Sequence, residues 1–340
     1  MKILFLILLF TTPLLLLVSW MLLPRSTATH FIYSPPNLAS IEPTHKNKLS
    51  RFSVMTYNIA FSAGLKNLKG KAPSSLYIQD NLNKIIETVK RYKPDFLAVQ
   101  EIDIRSNRSY NIDQVAWIAE QAGFPYVAVA ITWNKKWIPY PLHQPIHKQF
   151  GGILAGQAFF SRHPILSQDV YTLPKPKETS WLYNRFYINR QFQFITINMH
   201  GTPITFGHVH FEAFHKKTRQ LQVKHILHTL DQQNTMPDIL LGDFNAISPD
   251  LKQAHFPDEP EVDYGDDMSL PLLFKTYKAS LPNTNYTFPA DTPNRKLDYV
   301  LYRKTKLLLN SSRVLSSTTS DTSPPPSDHL PILSVFSRPL

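Results

Sequence analysis

From Arg51 onward the chain alternates short apolar runs with longer amphipathic stretches, and the two patterns predict different elements. "RFSVMTYNIA", beginning at Arg51, reads as a strand. "DNLNKIIETVKRY" sets Leu82, Ile85, Ile86 and Val89 at spacings of three and four, which is one face of a helix. "PDFLAVQE", opened by Pro94, is a short apolar run of strand type, and "NIDQVAWIAEQAG" predicts a helix stopped at Gly123. "YVAVAI", "QAFFS", "FQFITIN" and "PITFGHVHF" predict further strands. "KKTRQLQVKHILHTL" predicts a helix with Val223, Ile226, Leu227 and Leu230 on its buried side. "PDILLGD", "KLDYVLYR" and "PILSVFS" close the series as strands. Strands outnumber helices and many are half-buried, which argues against an all-parallel doubly wound sheet. Two packed sheets flanked by helices fit the pattern better.

The first fifty residues follow another rule. Ile3 to Leu23 carries no charge and is long enough to span a bilayer as a helix, interrupted by Pro13. Residues 1–25 are therefore expected to be a membrane anchor, or a signal sequence if the chain is cleaved after "STA" at Ala28. Residues 26–50, rich in Pro, Ser, Thr and Asn, are expected to be a linker, and 51–340 a single catalytic domain. The expected location is a membrane-anchored protein with its domain outside the cytoplasm, or a secreted one if the segment is removed. Lys2 and Arg25 flank the run too evenly to fix its orientation.

Composition narrows the chemistry. With 43% hydrophobic and 18% charged residues, the chain can bury a sizeable core. A formal charge of +11 favours anionic partners, although the basic residues are scattered and also suit a solvated surface. The absence of cysteine excludes disulfides, thiolate metal ligands and a Cys nucleophile.

Polar groups recur at the ends of the apolar strands. Asn58 closes "VMTYN", Glu101 closes "FLAVQE", His210 follows "ITFGHV", and Asp243 and Asn245 follow "DILLG". Asp298 lies in "RKLDYVLY", and Asp328 and His329 precede the last strand. Taken singly, each has an ordinary structural reading: Gly-Asp before Asn is turn chemistry, and a lone histidine is more often core or loop than catalyst. Together, strand-end acids, amides and imidazoles have the make-up of an active site. Carboxylates and amides without thiols favour a hard cation, Mg²⁺ first with Mn²⁺ as a substitute. Histidines near carboxylates suit acid–base work near neutral pH. His208 and His210 also form a zinc half-site on one strand face, but no zinc partner set accompanies them.

The ordered blocks "TYNIA", "VQEID", "FSRHPI", "HVHFEA", "GDFNA", "KLDYVLY" and "SDHLPI" resemble the endonuclease/exonuclease/phosphatase superfamily, of bacterial membrane-anchored type, from Arg51 to about Ser337. The resemblance implies an α/β fold of DNase I-like form, a four-layer α/β sandwich of two mainly antiparallel sheets packed face to face with helices outside. It implies that Asn58, Glu101 and Asp328 hold the metal, and that His329 lies beside the scissile phosphate with its tautomer fixed by Asp298. It further implies that Asp243 positions or activates water, that Asn245 binds a phosphate oxygen, and that His210 contacts phosphate. Val209 stands where the family has Thr, and His208 offers a second imidazole, so both histidines stay eligible for that last role. Glu212, in "HFEA", is a candidate supporting acid.

The expected function is divalent-metal-dependent phosphodiester hydrolysis of a phospholipid or sphingolipid headgroup, or of nucleic acid. An extracytoplasmic DNase I-like endonuclease is one alternative; a non-catalytic tethered binding module on the same fold is another, and would be expected to lack part of the site. The aromatic and basic stretch at 131–152 suits base stacking, a lipid interface or simple packing. The membrane is an expected partner through the N-terminal segment; no protein partner is expected, and the chain is expected to be monomeric.

Overall fold

The computed structural model describes residues 2–38, 51–66, 73–142, 144–251, 253–316 and 324–339, without the side chains of 2–10 and 66. The elements start with α1 (Lys2–Leu22), β1 (His30–Tyr33), β2 (Arg51–Asn58), α2 (Ser75–Tyr92), β3 (Phe96–Asp103), α3 (Gln114–Ala122) and β4 (Tyr126–Ile138). They continue with β5 (Gly151–Ser161), β6 (Ile165–Thr172), α4 (Trp181–Phe186), β7 (Gln191–Met199), β8 (Thr202–His210) and α5 (Lys216–Gln232). The last are β9 (Ile239–Asp243), α6 (Ser269–Phe274), β10 (Lys278–Ala279), β11 (Asp298–Tyr302), β12 (Leu308–Val314) and β13 (Ile332–Ser337).

Two sheets result, a seven-stranded one in the order β1-β4-β5-β3-β2-β13-β12 and a six-stranded one in the order β10-β11-β9-β8-β7-β6. Each holds one parallel pair near its middle, β2 with β3 and β8 with β9. The remaining neighbours run antiparallel.

Strand alternation builds the layers. Phe52 and Val54 of β2, with Phe96 and Ala98 of β3, point to the core between the sheets. There they meet Ile204 and Phe206 of β8, Ile239 and Leu241 of β9, and Val300 of β11. The intervening residues Met55, Tyr57, Leu97 and Val99 face outward onto α2 and α3. Leu240 and Tyr299 face outward onto α5 and α6 on the other side. The order helix, sheet, sheet, helix is the four-layer sandwich expected from the strand patterns. The helices end as their sequences dictate: Ser74 caps α2 by accepting from the Tyr77 amide, and Gly123 ends α3 at a φ of 73°.

Sequence boundaries fall short where strands leave the core. The stretch 131–152 forms the far half of a long β4–β5 hairpin, paired as far as Ile138 with Gly151. β6 and β12 are edge strands with no fully buried position and only a few apolar side chains, such as Ile165, Leu309 and Val314, against the core, so they show no clear apolar alternation.

The segment expected as linker runs along β4 in its first part. Ser26 bonds with Asn134, and β1 pairs with β4 from His30 opposite Ala130 to Tyr33 opposite Val127. Residues 39–50 of that expected linker lie outside the described residues, as do 317–323 of the Ser/Thr/Pro-rich loop. Among the described residues no helix is long and apolar enough to cross a membrane. α1 is helical over Lys2–Leu22, and its described side chains from Leu14 to Leu17 are exposed.

Candidate active site

The carboxyl ends of both parallel pairs open on one edge of the sandwich. Counting in twos along each strand shows why the polar ends meet. Asn58 shares the inward face of β2 with Phe52 and Val54; Asp243 shares that of β9 with Ile239 and Leu241. Asp298 lies on the inward face of β11 and is paired directly opposite Asp243. The Asn58 amide then spans the gap between sheets, its Nδ2 donating to Asp243 Oδ2 at 2.9 Å and to Glu101 Oε1 at 3.1 Å.

Glu101 breaks the parity. With Ala98 and Gln100 facing inward, residue 101 should point out toward α2 and α3. The β3–β5 register shifts between Val99 and Ile102, and Glu101 takes a φ of 51°. This bulge turns the carboxylate into the site, a use of irregular strands that recurs beside active sites.

The turn after β9 is equally constrained. Gly242 has a φ of 139°, and a Cβ there would stand 1.9 Å from the Val209 carbonyl oxygen, so the strand end admits only glycine. Asn245 has a φ of 48°; its amide nitrogen donates to Asp243 Oδ1 at 2.9 Å and its Nδ2 to the Phe211 carbonyl at 3.0 Å. Both turn chemistry and a strand-end mount are present in "GDFN".

His329 comes from the loop before β13. That loop is tied to the end of β2 by Ser327 Oγ, which donates to the Asn58 carbonyl at 2.7 Å and so holds Asp328, itself buried, beside the same strand end. His329 Nδ1 lies 2.8 Å from Asp298 Oδ2, and Nε2 lies 3.8 Å from Asp243 Oδ2. The carboxylate–imidazole pair fixes the ring with Nε2 toward the cleft. Burial opposes charge on His329, but Asp298 and Asp243 and the Asp298 hydrogen bond outweigh it and raise the ring well above the usual histidine range. Burial pushes the Asp243 carboxyl upward, against the nearby His329 charge and the Asn58 hydrogen bond.

The two histidines of β8 separate cleanly. Both face inward, but His208 lies deeper, with Nδ1 3.0 Å from Gln193 Oε1 and Nε2 2.7 Å from Gln100 Nε2. Burial drives its pKa down to about 3, so it is a neutral spacer with both nitrogens engaged. This removes the zinc half-site. His210, at the strand end, has Nε2 3.5 Å from Asp243 Oδ2 and 3.9 Å from Glu101 Oε1. Burial, with the Arg190 and His329 charges behind it, keeps His210 well below the ordinary value and neutral.

Arg190 belongs to this cleft and was not legible beforehand. It precedes β7, buried, with Nε and Nη1 lacking any hydrogen-bond partner and Nε 3.9 Å from Glu212 Oε2. Burial works against its charge, but Tyr187, Glu212, Glu101 and Asp243 sustain it. Glu212 is held by the Tyr187 hydroxyl at 2.7 Å, which gives that candidate acid a supporting position beside Arg190. Only the β7–β8 register, with Phe192 opposite Val209, brings Arg190 level with the end of β8.

The donors suit a divalent cation. Half-buried Glu101 with buried Asp243, Asp298 and Asp328 gives this edge an acidic excess over His329 and Arg190, and all four offer hard oxygens. Asp243, Asp298 and His329 also place one ligand atom each within 4.8 Å of the others, although Asp298 and His329 are already engaged with one another.

Comparison with known proteins agrees with this architecture. The model of the Endonuclease/Exonuclease/phosphatase family matches residues 55–329. The structure is similar to an endonuclease/exonuclease/phosphatase from Beutenbergia cavernae, at 19% identity and a TM-score of 0.61 over 85% of this chain and 72% of that one. It is similar to the human Nocturnin catalytic domain with bound sulfate, at 17% identity and a TM-score of 0.57 over 92% of this chain and 100% of the other. A mannosyl-6-phosphatase from Bacteroides thetaiotaomicron aligns at 15% identity and a TM-score of 0.54, over 84% and 99% of the two chains. No curated protein matches the chain.

Proposed function

We propose that the chain, which belongs to the endonuclease/exonuclease/phosphatase family and is a hydrolase of phosphoester bonds, cleaves a phosphodiester with the help of a divalent cation. The observation that carries this reading is the convergence of Asn58, Asp243 and the Asp298–His329 pair from separate segments of two sheets onto one edge. Asn58, Glu101 and Asp328 would hold the cation, with Mg²⁺ the first candidate. When bound, it supplies positive charge against the phosphoryl oxygens.

The side chains account for the remaining chemistry. Asp243, its carboxyl raised by burial, takes the proton of the attacking water as the new P–O bond forms, while the P–O bond to the leaving oxygen breaks and that oxygen is protonated from solvent. His329, held charged by Asp298, presents Nε2–H to the phosphate. Neutral His210 and the second amide hydrogen of Asn245 donate to non-bridging oxygens. Arg190, with two nitrogens that make no hydrogen bond, supplies a further donor to the anionic substrate.

The test is hydrolysis of bis(p-nitrophenyl) phosphate by wild type and His329→Ala, each with Mg²⁺ and with EDTA. Wild type should turn over only with metal, and His329→Ala should lose at least about 100-fold. Equal turnover by the two proteins would end this mechanism.

A further inference from the structure

Exposed apolar side chains gather on the catalytic edge. β4 runs parallel to β3, because both pair antiparallel with β5, so the β4–β5 hairpin extends past the same edge that carries Glu101. Asp103 of β3 aligns with Ala155 and so with Trp133; β4 then continues to Ile138, about 17 Å further. The tip beyond carries Tyr140, Leu142 and Ile146, exposed by 58%, 79% and 71%.

Two neighbouring elements extend the surface. α4, tied to the hairpin where Trp133 Nε1 donates to the Phe186 carbonyl, exposes Trp181 and Leu182. Phe214, four residues past the end of β8, is 53% exposed at the same edge. Apolar patches of this kind mark interaction surfaces.

Three further observations indicate what covers it. The N-terminal segment runs antiparallel to β4, with Lys136 N donating to the Leu23 carbonyl, so α1 leaves the domain in the direction of the hairpin tip. Its exposed Leu14–Leu17 therefore lie on the same side as the tip. Where α1 meets the domain, Trp20 and Trp137 line a cleft of about 390 Å³ together with Arg25 and Lys136. Lys135, Lys175 and Arg185 cluster nearby, burial first and their mutual repulsion second holding both lysines below the usual range, so that cationic side chains stand beside the apolar groups. Apolar tips, tryptophans and cations in that order match the layers of an anionic lipid surface.

We propose that the hairpin tip, α4 and Phe214 dock this edge onto an anionic phospholipid bilayer, so that the catalytic cleft opens toward lipid headgroups. This deepens the phosphodiesterase reading and rests on it for the substrate, a headgroup phosphodiester, but not for the docking itself.

The chain has no cysteine, so single introduced cysteines can be labelled without background. Leu142→Cys reports the hairpin tip. Leu308→Cys is the control, since Leu308 is 51% exposed and lies opposite Ser337 and Arg51 at the far edge of the same sheet. Each full-length variant, carrying a bimane label, is reconstituted into phosphatidylcholine–phosphatidylglycerol vesicles containing brominated lipid. Docking predicts at least twofold quenching at position 142 and none at position 308. Equal quenching at both positions, or none at 142, overturns it. Protection of the 142 label by plasmid DNA in place of lipid quenching also overturns it, in favour of a nucleic-acid surface. The same samples are assayed on bis(p-nitrophenyl) phosphate: loss of that activity with quenching intact counts against the phosphodiesterase reading alone.

Discussion

At the scale of single residues, the site is governed by which buried charges have partners. Arg190 is the clearest case, because its buried guanidinium has Glu212 beside it but two nitrogens without a hydrogen bond, which an entering anion can supply. Arg190→Gln should lower kcat/KM by about 10- to 100-fold, the worth of a hydrogen bond to a charged group, while Arg190→Lys recovers part of the loss. Steady-state kinetics on a soluble phosphodiester checks this; an unchanged kcat/KM would make Arg190 a structural partner of Glu212 only. His208 gives a prediction about stability. Its ring stays neutral in the fold down to about pH 3, whereas an unfolded histidine protonates near 6.5. Between those values the unfolded chain binds the extra proton, so stability falls as pH falls, by up to about 1.4 kcal/mol per pH unit from this residue. Denaturant melts of wild type and His208→Gln between pH 7 and 4.5 should show a shallower acid decline in the variant.

At the scale of elements, the strands read from sequence were those with one face in the core, such as "RFSVMTYN" and "DILLGD". β6 and β12 were not readable because these edge strands bury no residue fully and set only a few apolar side chains against the core. Asn58, Asp243 and Asp298 could be placed by parity once the strands were known. Glu101 could not: plain alternation points it away from the site, and the bulge that corrects this depends on the pairing of β3 with β5. Arg190 was illegible for a similar reason, since its place follows from a strand register and not from any motif. The ending of β9 carries its own prediction. Gly242→Ala would press a Cβ against the Val209 carbonyl and should cost about 4 kcal/mol or more, read as a large drop in Tm or loss of soluble protein. A Tm near wild type would show that β9 and β8 can separate without harm.

At the scale of the whole molecule, the two sheets contribute opposite halves of one site. Asn58 and Glu101 come from the seven-stranded sheet, while His210, Asp243 and Asp298 come from the six-stranded one. A cation held by Asn58, Glu101 and Asp328, on the side of the seven-stranded sheet, would bind only the folded chain and should stabilise it by about 2.7 kcal/mol at a hundred times its Kd. Thermal melts with and without Mg²⁺ should show this shift in wild type and a much smaller one in Glu101→Gln.

The most direct test is whether these groups act as one catalytic unit. Turnover of bis(p-nitrophenyl) phosphate is measured for Glu101→Gln, His329→Ala and the double variant, each confirmed folded by its melt. Residues that serve one transition state are strongly non-additive. The double variant should therefore be no slower than the slower single variant. Losses that multiply, or wild-type turnover in either single variant, would contradict a shared site.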